Sequence, residues 1–231
     1  MSGSRVGPSR PAGPGKVFYP MFVDIEGRRC LVVGGGPIGT EKAQKLVEHG
    51  ASIRLVAPTI TDQLRTMVAD GQIAEYHARA YDPSDLDGCF LVISGTNLDA
   101  INRMVWQDAE AAGVICNIVD VPILCNFIVP SIVRRGELAV AISTGGASPV
   151  VAKHIRREIE GTYGPEWEAL VDLLRELRDE LKLRYLDMPS RRDAVERLMA
   201  TDVIARLADG DSEGVWALVR ETLDVRVTVP S

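Results

Sequence analysis

Cysteine, histidine and aromatic residues are scarce in this 231-residue sequence, which contains four cysteines, three histidines and 5% aromatic residues. The cysteines (Cys30, Cys89, Cys116 and Cys125) lie at wide, irregular spacings and form no Cys-x-x-Cys pair. That spacing argues against a structural zinc site and against a redox dithiol. We therefore expect reduced cysteines, no stable metal site and a cytoplasmic protein.

Long apolar runs and an excess of positive charge are missing as well. No apolar run approaches the ~20 residues of a membrane-spanning helix, so we expect no membrane association. The net charge of −6 and the isoelectric point near 5.2 argue against nucleic acid as a partner. An anionic substrate would need a local cluster of cations instead of a global positive field.

The first 16 residues differ in composition from the rest of the chain. Gly, Pro, Ser and basic residues dominate residues 1–16, which have no apolar core. This composition is typical of disorder and unlike a secretory signal. We interpret residues 1–16 as a disordered leader.

Residues 17–118 alternate between short apolar runs and amphipathic segments that end in glycine. The runs predicted as strands are RRCLVVGG, ASIRLVAP, QIAEYHARAY, CFLVISGT and VICNIVD. Strand and helix signals that alternate in this way are typical of parallel sheets. The sequence therefore predicts an α/β fold, a Rossmann-type doubly wound parallel sheet, over residues 17–118.

The pattern changes after residue 118. Residues 119–160 contain two apolar runs around the turn Arg134–Glu137, which predict a β-hairpin, and then a helix that begins at Ser148. Residues 161–231 have only helical periodicity, including one long predicted helix from Pro165 to Leu186 and two shorter ones. We expect a helical C-terminal region.

The run from Gly34 to Gly39, GGGPIG, fits Gly-x-Gly-x-x-Gly between a predicted strand and a predicted helix. In a dinucleotide-binding turn, Gly34 would allow the tight turn and Gly36 would let the main chain approach a pyrophosphate. Gly39 would let the helix and the strand pack closely, and the helix N-terminus would offer N–H groups to the anion. A tight turn without a ligand is the alternative.

One part of the dinucleotide fingerprint is missing. An Asp or Glu usually ends the second strand and holds the ribose hydroxyls of NAD. Here the second strand ends with residues 55–59, LVAPT, and no carboxylate precedes Asp62. Arg54 is expected to point to the sheet face and not to a 2′-phosphate. The motif therefore leaves NAD and NADP open.

Asp120 ends the predicted strand VICNIVD, and Pro122 follows two residues later. Open α/β sheets bind their ligands at the carboxyl ends of the strands. A carboxylate at this position can act as a general base. From spacing alone, a turn or helix-capping role is the alternative.

Several stretches together resemble one known family. They are YPMFVDIEGRRCLVVGGGPIGTEKAQKL, ISGTNLDAINRMV, CNIVDVP, FIVPSIVRRGELAVAISTGGASPVVAKHIRREIE and the helical tail. In this order, from about Phe18 to past residue 220, they resemble the precorrin-2 dehydrogenase family, the dehydrogenase and chelatase module of siroheme synthase. The succession NIVD, IVPSIV and ISTGGASP is more specific than the glycine motif.

The resemblance implies an activity and an assembly. Members of the family oxidise precorrin-2 to sirohydrochlorin with NAD⁺, and several also insert Fe²⁺ to give siroheme. They are homodimers in which the hairpin and the following helix intertwine. Residues 119–160 would then be a dimerisation and active-site region, and residues 161–231 a helical C-terminal domain. The methyltransferase fused to some siroheme synthases is not expected in this chain.

The resemblance also implies site residues. The family's cofactor contacts fall on Pro37, Ile38, Pro58 and Thr59, and its essential aspartate falls on Asp120. The family lacks the ribose carboxylate as well. Asp120 would take a proton in the dehydrogenation, and in iron insertion it would take pyrrole protons or hold Fe²⁺ transiently.

The sequence departs from the family pattern in a few places. SGTNL stands where the family often has AATDD, although Thr96 is kept, and Glu41 stands where the family has arginine. We include Thr96 among the predicted cofactor-binding residues.

Precorrin-2 carries many carboxylates, and cations cluster in residues 134–157 of this acidic chain. They are Arg134, Arg135, Lys153, His154, Arg156 and Arg157. We predict that substrate carboxylates bind to Arg134, Arg135, Lys153 and Arg156 and to the helix start at Ser148. A solvated helix face, with Glu158 and Glu160 paired to these cations, is the alternative. His49 and His77 are expected to be structural.

Two other functions were weighed against this one. A short-chain dehydrogenase would need a tyrosine with a lysine four residues later, and none of the five tyrosines has one. A non-catalytic NAD(H)-sensing module would be expected to keep the carboxylate after the second strand, and NIVD and GGASP would have no role in it. The sensing module stays as the alternative hypothesis.

Overall fold

The computed structural model describes residues 17–224, and the predicted leader lies outside them. The chain divides into two compact units between Val129 and Pro130, and we describe each unit by itself. The finer division predicted from the sequence, with boundaries after residues 118 and 160, stays a prediction.

The first unit is a parallel sheet with helices on both faces. Its elements are β1 (Arg29–Val33), α1 (Pro37–Val47), β2 (Ser52–Val56), α2 (Asp62–Ala69), β3 (Glu75–His77), β4 (Leu91–Ser94), α3 (Asp99–Ala112) and β5 (Ile115–Ile118). The strands are all parallel in the order β3-β2-β1-β4-β5. This is the strand order of a doubly wound sheet whose topology reverses between β1 and β4.

Both faces of the sheet are buried, which explains the continuous apolar runs in its strands. Cys30 and Val32 of β1 pack in one cluster, which also contains residues of α1 and α2. Leu31 and Val33, which alternate with them, pack in a second cluster with α3. The predicted α/β fold class is confirmed.

The second unit joins a hairpin to a set of helices. Its elements are β6 (Ser131–Arg135), β7 (Leu138–Ile142), α4 (Pro149–Thr162), α5 (Glu166–Glu176), α6 (Arg178–Arg184), α7 (Met188–Met199), α8 (Val203–Asp209) and α9 (Ser212–Leu223). Strands β6 and β7 pair antiparallel, and leucines and valines of α5 to α9 form a separate core. Within residues 17–224, no helix combines the length and apolarity that a membrane crossing requires.

Two predicted elements differ from the observed ones. The predicted strand QIAEYHARAY contributes only β3, because the His77 carbonyl accepts hydrogen bonds from both Ala57 N and Arg79 N, which turns the chain. The predicted long helix is divided at Leu177 into α5, which ends at Glu176, and α6, which begins at Arg178. The short helix α8 was not predicted.

Strand β5 lies at the edge of the sheet, and Asn126 covers its open main-chain groups. The Asn126 side chain accepts a hydrogen bond from Cys116 N at 2.7 Å and donates one to Val114 O at 3.2 Å. Its own N–H donates to Cys116 O at 3.0 Å. One asparagine thus replaces a neighbouring strand and protects the edge from further pairing.

Asp85 is a buried carboxylate that holds the loop after β3 in shape. Its side chain is held by Arg79 at 2.6 and 2.8 Å and accepts a hydrogen bond from Asp82 N at 2.8 Å. Burial alone would raise the pKa of Asp85, but Arg79 and the Asp82 N–H outweigh it and hold the pKa below its usual value. The ionised form of the Asp85 carboxyl is therefore more favourable in the folded protein than in the unfolded chain.

We predict that Asp85→Asn lowers the free energy of unfolding by about 2 kcal/mol at pH 7. Because the folded pKa is depressed, the stabilisation is present above the unfolded pKa of about 4. It is lost as the pH falls through the folded pKa. Urea denaturation between pH 7 and pH 3 should show a shallower acid slope for the variant. The exposed neighbour Asp87→Asn is the control, and an unchanged slope in Asp85→Asn would contradict the assignment.

Candidate functional site

The carboxyl ends of β1, β2, β4 and β5 carry the predicted site residues of the first unit. The glycine turn follows β1, Thr96 follows β4, and Asp120 follows β5. Since these strands are neighbours in the sheet, the β1 and β5 exits are two strand spacings, roughly 10 Å, apart. The fold therefore brings the predicted nucleotide turn and the predicted carboxylate to one edge.

Three glycines of the turn meet different constraints. Gly34 has a φ of +114°, a conformation that side chains disfavour. A Cβ on Gly35 would overlap the carbonyl oxygen of Thr59, and a Cβ on Gly39 would overlap the carbonyl oxygen of Gly34. Gly35 was not singled out in the sequence, because its constraint comes from a residue 24 positions away.

Gly36 differs from its neighbours because a Cβ there would meet no atom within 4 Å. Its φ of −81° is open to any residue, so neither strain nor packing explains a glycine. The space beside it lies at the N-terminus of α1, which begins at Pro37 and has no acidic residue in its first turn. Free N–H groups, an uncrowded main chain and a positive helix end fit a pyrophosphate.

Two threonine hydroxyls that the sequence analysis missed fasten the glycine turn to α2. The buried Thr40 hydroxyl donates to Gly36 O at 3.0 Å and lies 2.8 Å from the Thr61 hydroxyl. Thr61 caps α2 by accepting from Leu64 N, and its own N–H donates to Gly35 O at 3.0 Å. No local pattern reveals this pair, since the residues are 21 positions apart.

The end of β2 has no charged side chain directed at the nucleotide turn among the residues described. Pro58 and Thr59 are exposed there. Asp62, the first carboxylate after them, pairs with Arg65 on its own helix at 2.7 Å. Arg54 donates to Glu75 at 2.6 Å and to Asp85 O at 2.8 Å. As predicted, Arg54 lies against the sheet, where Glu75 and a main-chain carbonyl take its donors.

Thr96 lies in the loop after β4, and its hydroxyl is engaged by the protein. It accepts a hydrogen bond from Leu98 N at 3.1 Å and lies 3.1 Å from Asn102 Oδ1. Ile38 of the nucleotide turn is 38% exposed, and a Cβ on Gly95 would lie 2.9 Å from its side chain. The Thr96 loop therefore borders the nucleotide turn.

Asp120 occupies a β-turn that sets its direction. Val121 N donates to Ile118 O at 3.1 Å, and Asp120 has a φ of +61°. A positive φ at the third residue is the mark of a type II turn, where glycine or asparagine is usual. The Asp120 side chain is exposed, and among the described residues none forms a hydrogen bond or ion pair with it.

The Cys125 side chain forms hydrogen bonds with both ends of the Asp120 turn. Its thiol is buried and donates to Ile118 O at 3.2 Å and Val121 O at 3.4 Å, while Ile118 N donates to its sulfur at 3.3 Å. These contacts fix both ends of the turn. No local pattern indicates this role, which depends on the chain folding back after Pro122.

Burial disfavours the thiolate form of two other cysteines, Cys30 and Cys116. Burial, with a smaller effect from Cys89, raises the pKa of Cys30 to about 11, and burial raises the pKa of Cys116 to about 12. Thiolates are therefore disfavoured at both positions. These cysteines act as small apolar residues of the core.

In the second unit, Ser148 caps α4 within a tightly held loop. Its hydroxyl accepts from Val151 N at 3.3 Å, and its main chain is bound on both sides by the Thr144 hydroxyl at 3.1 Å. Lys153 is exposed, and Arg134 lies exposed on β6. These three predicted residues are accessible to a ligand.

Three other cations of this cluster have partners within the second unit. Arg135 donates to Tyr163 O at 3.0 Å and Glu160 O at 3.1 Å, and so caps the carboxyl end of α4. Arg156 pairs with Glu160 at 2.8 Å, and His154 lies 3.3 Å from Glu158. Arg156 and His154 thus form the ion pairs that the solvated-face alternative expects, and Arg135 has a capping role that was not predicted.

Comparison with known proteins identifies the family. A profile for NAD(P)-binding domains matches residues 21–131, and one described as sirohaem biosynthesis protein central matches residues 135–162. The solved structure of SirC, a precorrin-2 dehydrogenase, superposes with a TM-score of 0.73 and 26% identity over 88% of this chain and 100% of that one. The chain belongs to the precorrin-2 dehydrogenase and siroheme synthase family.

Curated members of the precorrin-2 dehydrogenase and siroheme synthase family are longer than this chain. A siroheme synthase of Pseudomonas entomophila (strain L48) is 37% identical over 207 residues, which are 90% of this chain and 44% of that protein. One of Nitrosococcus oceani is 34% identical over the same shares. The chain thus spans 44% of the length of these relatives, and its ligand class is a nicotinamide cofactor, NAD or NADP.

We predict that Gly36→Ala leaves the thermal unfolding temperature unchanged but weakens nicotinamide dinucleotide binding about ten-fold, since a methyl group would displace one pyrophosphate hydrogen bond. Gly39→Ala should instead destabilise the fold by about 1–3 kcal/mol through overpacking. Calorimetric titration and thermal unfolding of both variants separate the two effects. Unchanged binding in Gly36→Ala would favour a tight turn without a ligand.

Proposed function

We propose that the protein oxidises precorrin-2 to sirohydrochlorin with NAD⁺ as the acceptor. The observation that carries the proposal is Asp120, an exposed carboxylate with a φ of +61°. It lies at the carboxyl end of the sheet, as the glycine turn does. Strained main chain persists where the fold imposes it, and it is concentrated at functional sites. The likeness to SirC, named as a precorrin-2 dehydrogenase, spans that whole chain and supports the same activity.

The reaction removes a hydride and a proton from the reduced macrocycle. An oxidised nicotinamide cofactor supplies a hydride acceptor when it is bound. Asp120 would take the proton, because its exposed carboxylate is an acceptor with unused lone pairs. The N-terminus of α1 and the uncrowded Gly36 would hold the pyrophosphate, and Pro37, Ile38, Pro58, Thr59 and Thr96 would border the dinucleotide.

The end of β2 supports NAD over NADP in this proposal. A 2′-phosphate is usually held there by an arginine. Arg54 is engaged by Glu75 and by main-chain carbonyls, so it is not available to a phosphate. An NAD ribose needs only neutral hydrogen-bond partners, which Thr59 and the neighbouring main chain can supply.

Substrate carboxylates would bind to the second unit. We retain Arg134, Ser148 and Lys153 for this role, and Arg156 through the guanidinium donors that Glu160 leaves unused. Arg135 is left out, because main-chain carbonyls of α4 take its donors. We further propose a cytoplasmic homodimer. Its dimer contact is the hairpin, because two-stranded sheets are marginal alone and β7 is only partly buried.

Iron insertion is the second reaction that the family name suggests for this site, with Fe²⁺ as a substrate. Asp120 could accept the protons that leave the pyrrole nitrogens, as it does in the dehydrogenation. Among residues 17–224, no three His, Cys, Asp or Glu side chains are grouped to hold a metal ion. Anaerobic incubation with sirohydrochlorin and Fe²⁺, followed by absorbance, tests this activity directly.

We predict that Asp120→Asn lowers kcat for NADH formation by about 10²–10⁴-fold with NAD⁺ affinity unchanged. Asparagine tolerates the positive φ and has a similar shape, so the loss would reflect the charge and basicity of the carboxylate. Asp120→Ala should lose activity equally. Stopped-flow absorbance with precorrin-2 measures the rate, and calorimetry measures NAD⁺ binding.

The control for the turn itself is Asp120→Gly, which relieves the strain while removing the carboxylate. It should fold at least as stably as the wild type and be as inactive as the asparagine variant. An active Asp120→Asn or Asp120→Ala enzyme would sink the assignment. A wild-type protein that binds NAD⁺ without oxidising precorrin-2 would support the sensing module instead.

We predict that Lys153→Gln raises KM for precorrin-2 about three-fold, as expected for one exposed charge pair, and leaves the NAD⁺ KM unchanged. Higher ionic strength should raise KM in the wild type and do so less in the variant. The matched control is Lys182→Gln, an exposed lysine of the same unit that pairs with Asp179. Equal KM and equal salt dependence in wild type and Lys153→Gln would remove Lys153 from the site.

A further inference from the structure

Asn102 is a buried amide on α3 at a position where the helix otherwise presents apolar residues. It is 5% exposed, and the buried residues of α3 are Asn102, Val105 and Ala109. Their spacing of three and four is the stripe that packs on the sheet. A polar side chain in such a stripe is costly unless its hydrogen bonds are satisfied.

The Asn102 side chain uses those hydrogen bonds to hold the exit of β4. Its Oδ1 accepts from the buried Ser94 hydroxyl at 2.8 Å and lies 3.1 Å from the Thr96 hydroxyl. Its Nδ2 donates to Thr96 O at 3.0 Å. Residues on both sides of Gly95 are therefore fixed by one amide.

The exit of β4 lies between the two parts of the proposed site. On one side, Gly95 N donates to Val33 O at 2.9 Å, directly before the glycine turn. On the other side, Ser94 O accepts from Val119 N at 2.9 Å, directly before Asp120. A shift at residues 94–96 would therefore move both the nucleotide turn and the carboxylate turn.

The packing at Gly95 leaves little room for such a shift. A Cβ on Gly34 would lie 2.9 Å from the Gly95 carbonyl oxygen, and a Cβ on Gly95 would lie 2.9 Å from the Ile38 side chain. Close main-chain packing transmits displacement because it cannot be compressed.

We propose that Asn102 is a positioning residue that sets the Thr96 loop against the nucleotide turn. It acts through Ser94 and Thr96 and does not itself touch the cofactor. The inference builds on the proposed function only in taking NAD⁺ as the ligand. Thr96, in this view, contributes to cofactor binding by shaping the loop, since its hydroxyl is engaged within the protein.

The test is NAD⁺ titration of Asn102→Ala by calorimetry. We expect the Kd to rise about ten-fold, which is the effect of losing one to two buried hydrogen bonds. The milder Ser94→Ala, which keeps the amide and the Thr96 contacts, should give a smaller rise and serves if Asn102→Ala folds poorly. Wild-type affinity in both variants overturns the proposal.

Tyr81→Phe is the matched control for a purely structural effect. The Tyr81 hydroxyl donates to Asp108 at 3.0 Å, so its loss weakens the docking of the same helix further along. Both Tyr81→Phe and Asn102→Ala should lower the unfolding temperature, but only Asn102→Ala should raise the Kd. A rise in both would reduce Asn102 to a general stabiliser of α3 and overturn the proposal.

Thr96→Val separates an indirect role from direct contact. If Thr96 acts through Asn102, the double variant Thr96→Val/Asn102→Ala should bind NAD⁺ no more weakly than Asn102→Ala alone. Both changes break the same hydrogen bonds between Asn102 and the Thr96 loop. Additive losses of affinity would mean that Thr96 binds the cofactor directly and would overturn the indirect role of Thr96.

Because the readout is NAD⁺ affinity, a wild type that binds NAD⁺ but leaves precorrin-2 unchanged refutes the proposed function alone. Absence of NAD⁺ binding in the wild type refutes both.

Discussion

Main-chain hydrogen bonds that continue the parallel sheet one residue beyond its strands determine where the functional turns begin. They join Gly34 N to Val56 O, Gly95 N to Val33 O, and Val119 N to Ser94 O. Each strand exit is thereby fixed to its neighbour at the same level of the sheet. The glycine turn, the Thr96 loop and the Asp120 turn leave the sheet from these fixed points, so their mutual placement needs no direct contact between their side chains.

Beyond those points the main chain takes conformations that few residues favour. Gly34, with a φ of +114°, can only be glycine without strain, whereas Asp120, with a φ of +61°, replaces the glycine or asparagine that its turn prefers. Glycine would fit the Asp120 turn with less strain, so the turn gives no reason for a carboxylate. We interpret Asp120 as a residue that is present for its chemistry in spite of its local strain. Cys125 and the main-chain hydrogen bonds at the strand exits keep the strained turn in place.

Local sequence patterns were enough to predict the sheet, the glycine turn and the position of Asp120. Each depends on residues close in sequence, such as a glycine run after an apolar strand. The missed roles depend on how the chain folds back: Asn102 reaches Ser94, eight residues earlier, over the loop after β4, and Arg135 reaches Tyr163 across α4. A polar residue in the apolar stripe of α3 was the one available signal for Asn102. The break at Leu177 had no signal, because the apolar stripe runs through it unchanged.

The two proposed anion-binding surfaces, one in each unit, attract anions by different means. In the first unit, basic side chains near the sheet form ion pairs with carboxylates of the same unit, as Arg54 does with Glu75 and Arg79 with Asp85. The pyrophosphate is left to the N–H groups and dipole of α1, which act over a short range. In the second unit, the exposed Lys153 offers a full charge that acts over a Debye length of about 8–10 Å. An acidic protein can thus admit a polyanionic substrate at one surface and still bind the cofactor through uncharged main chain at another.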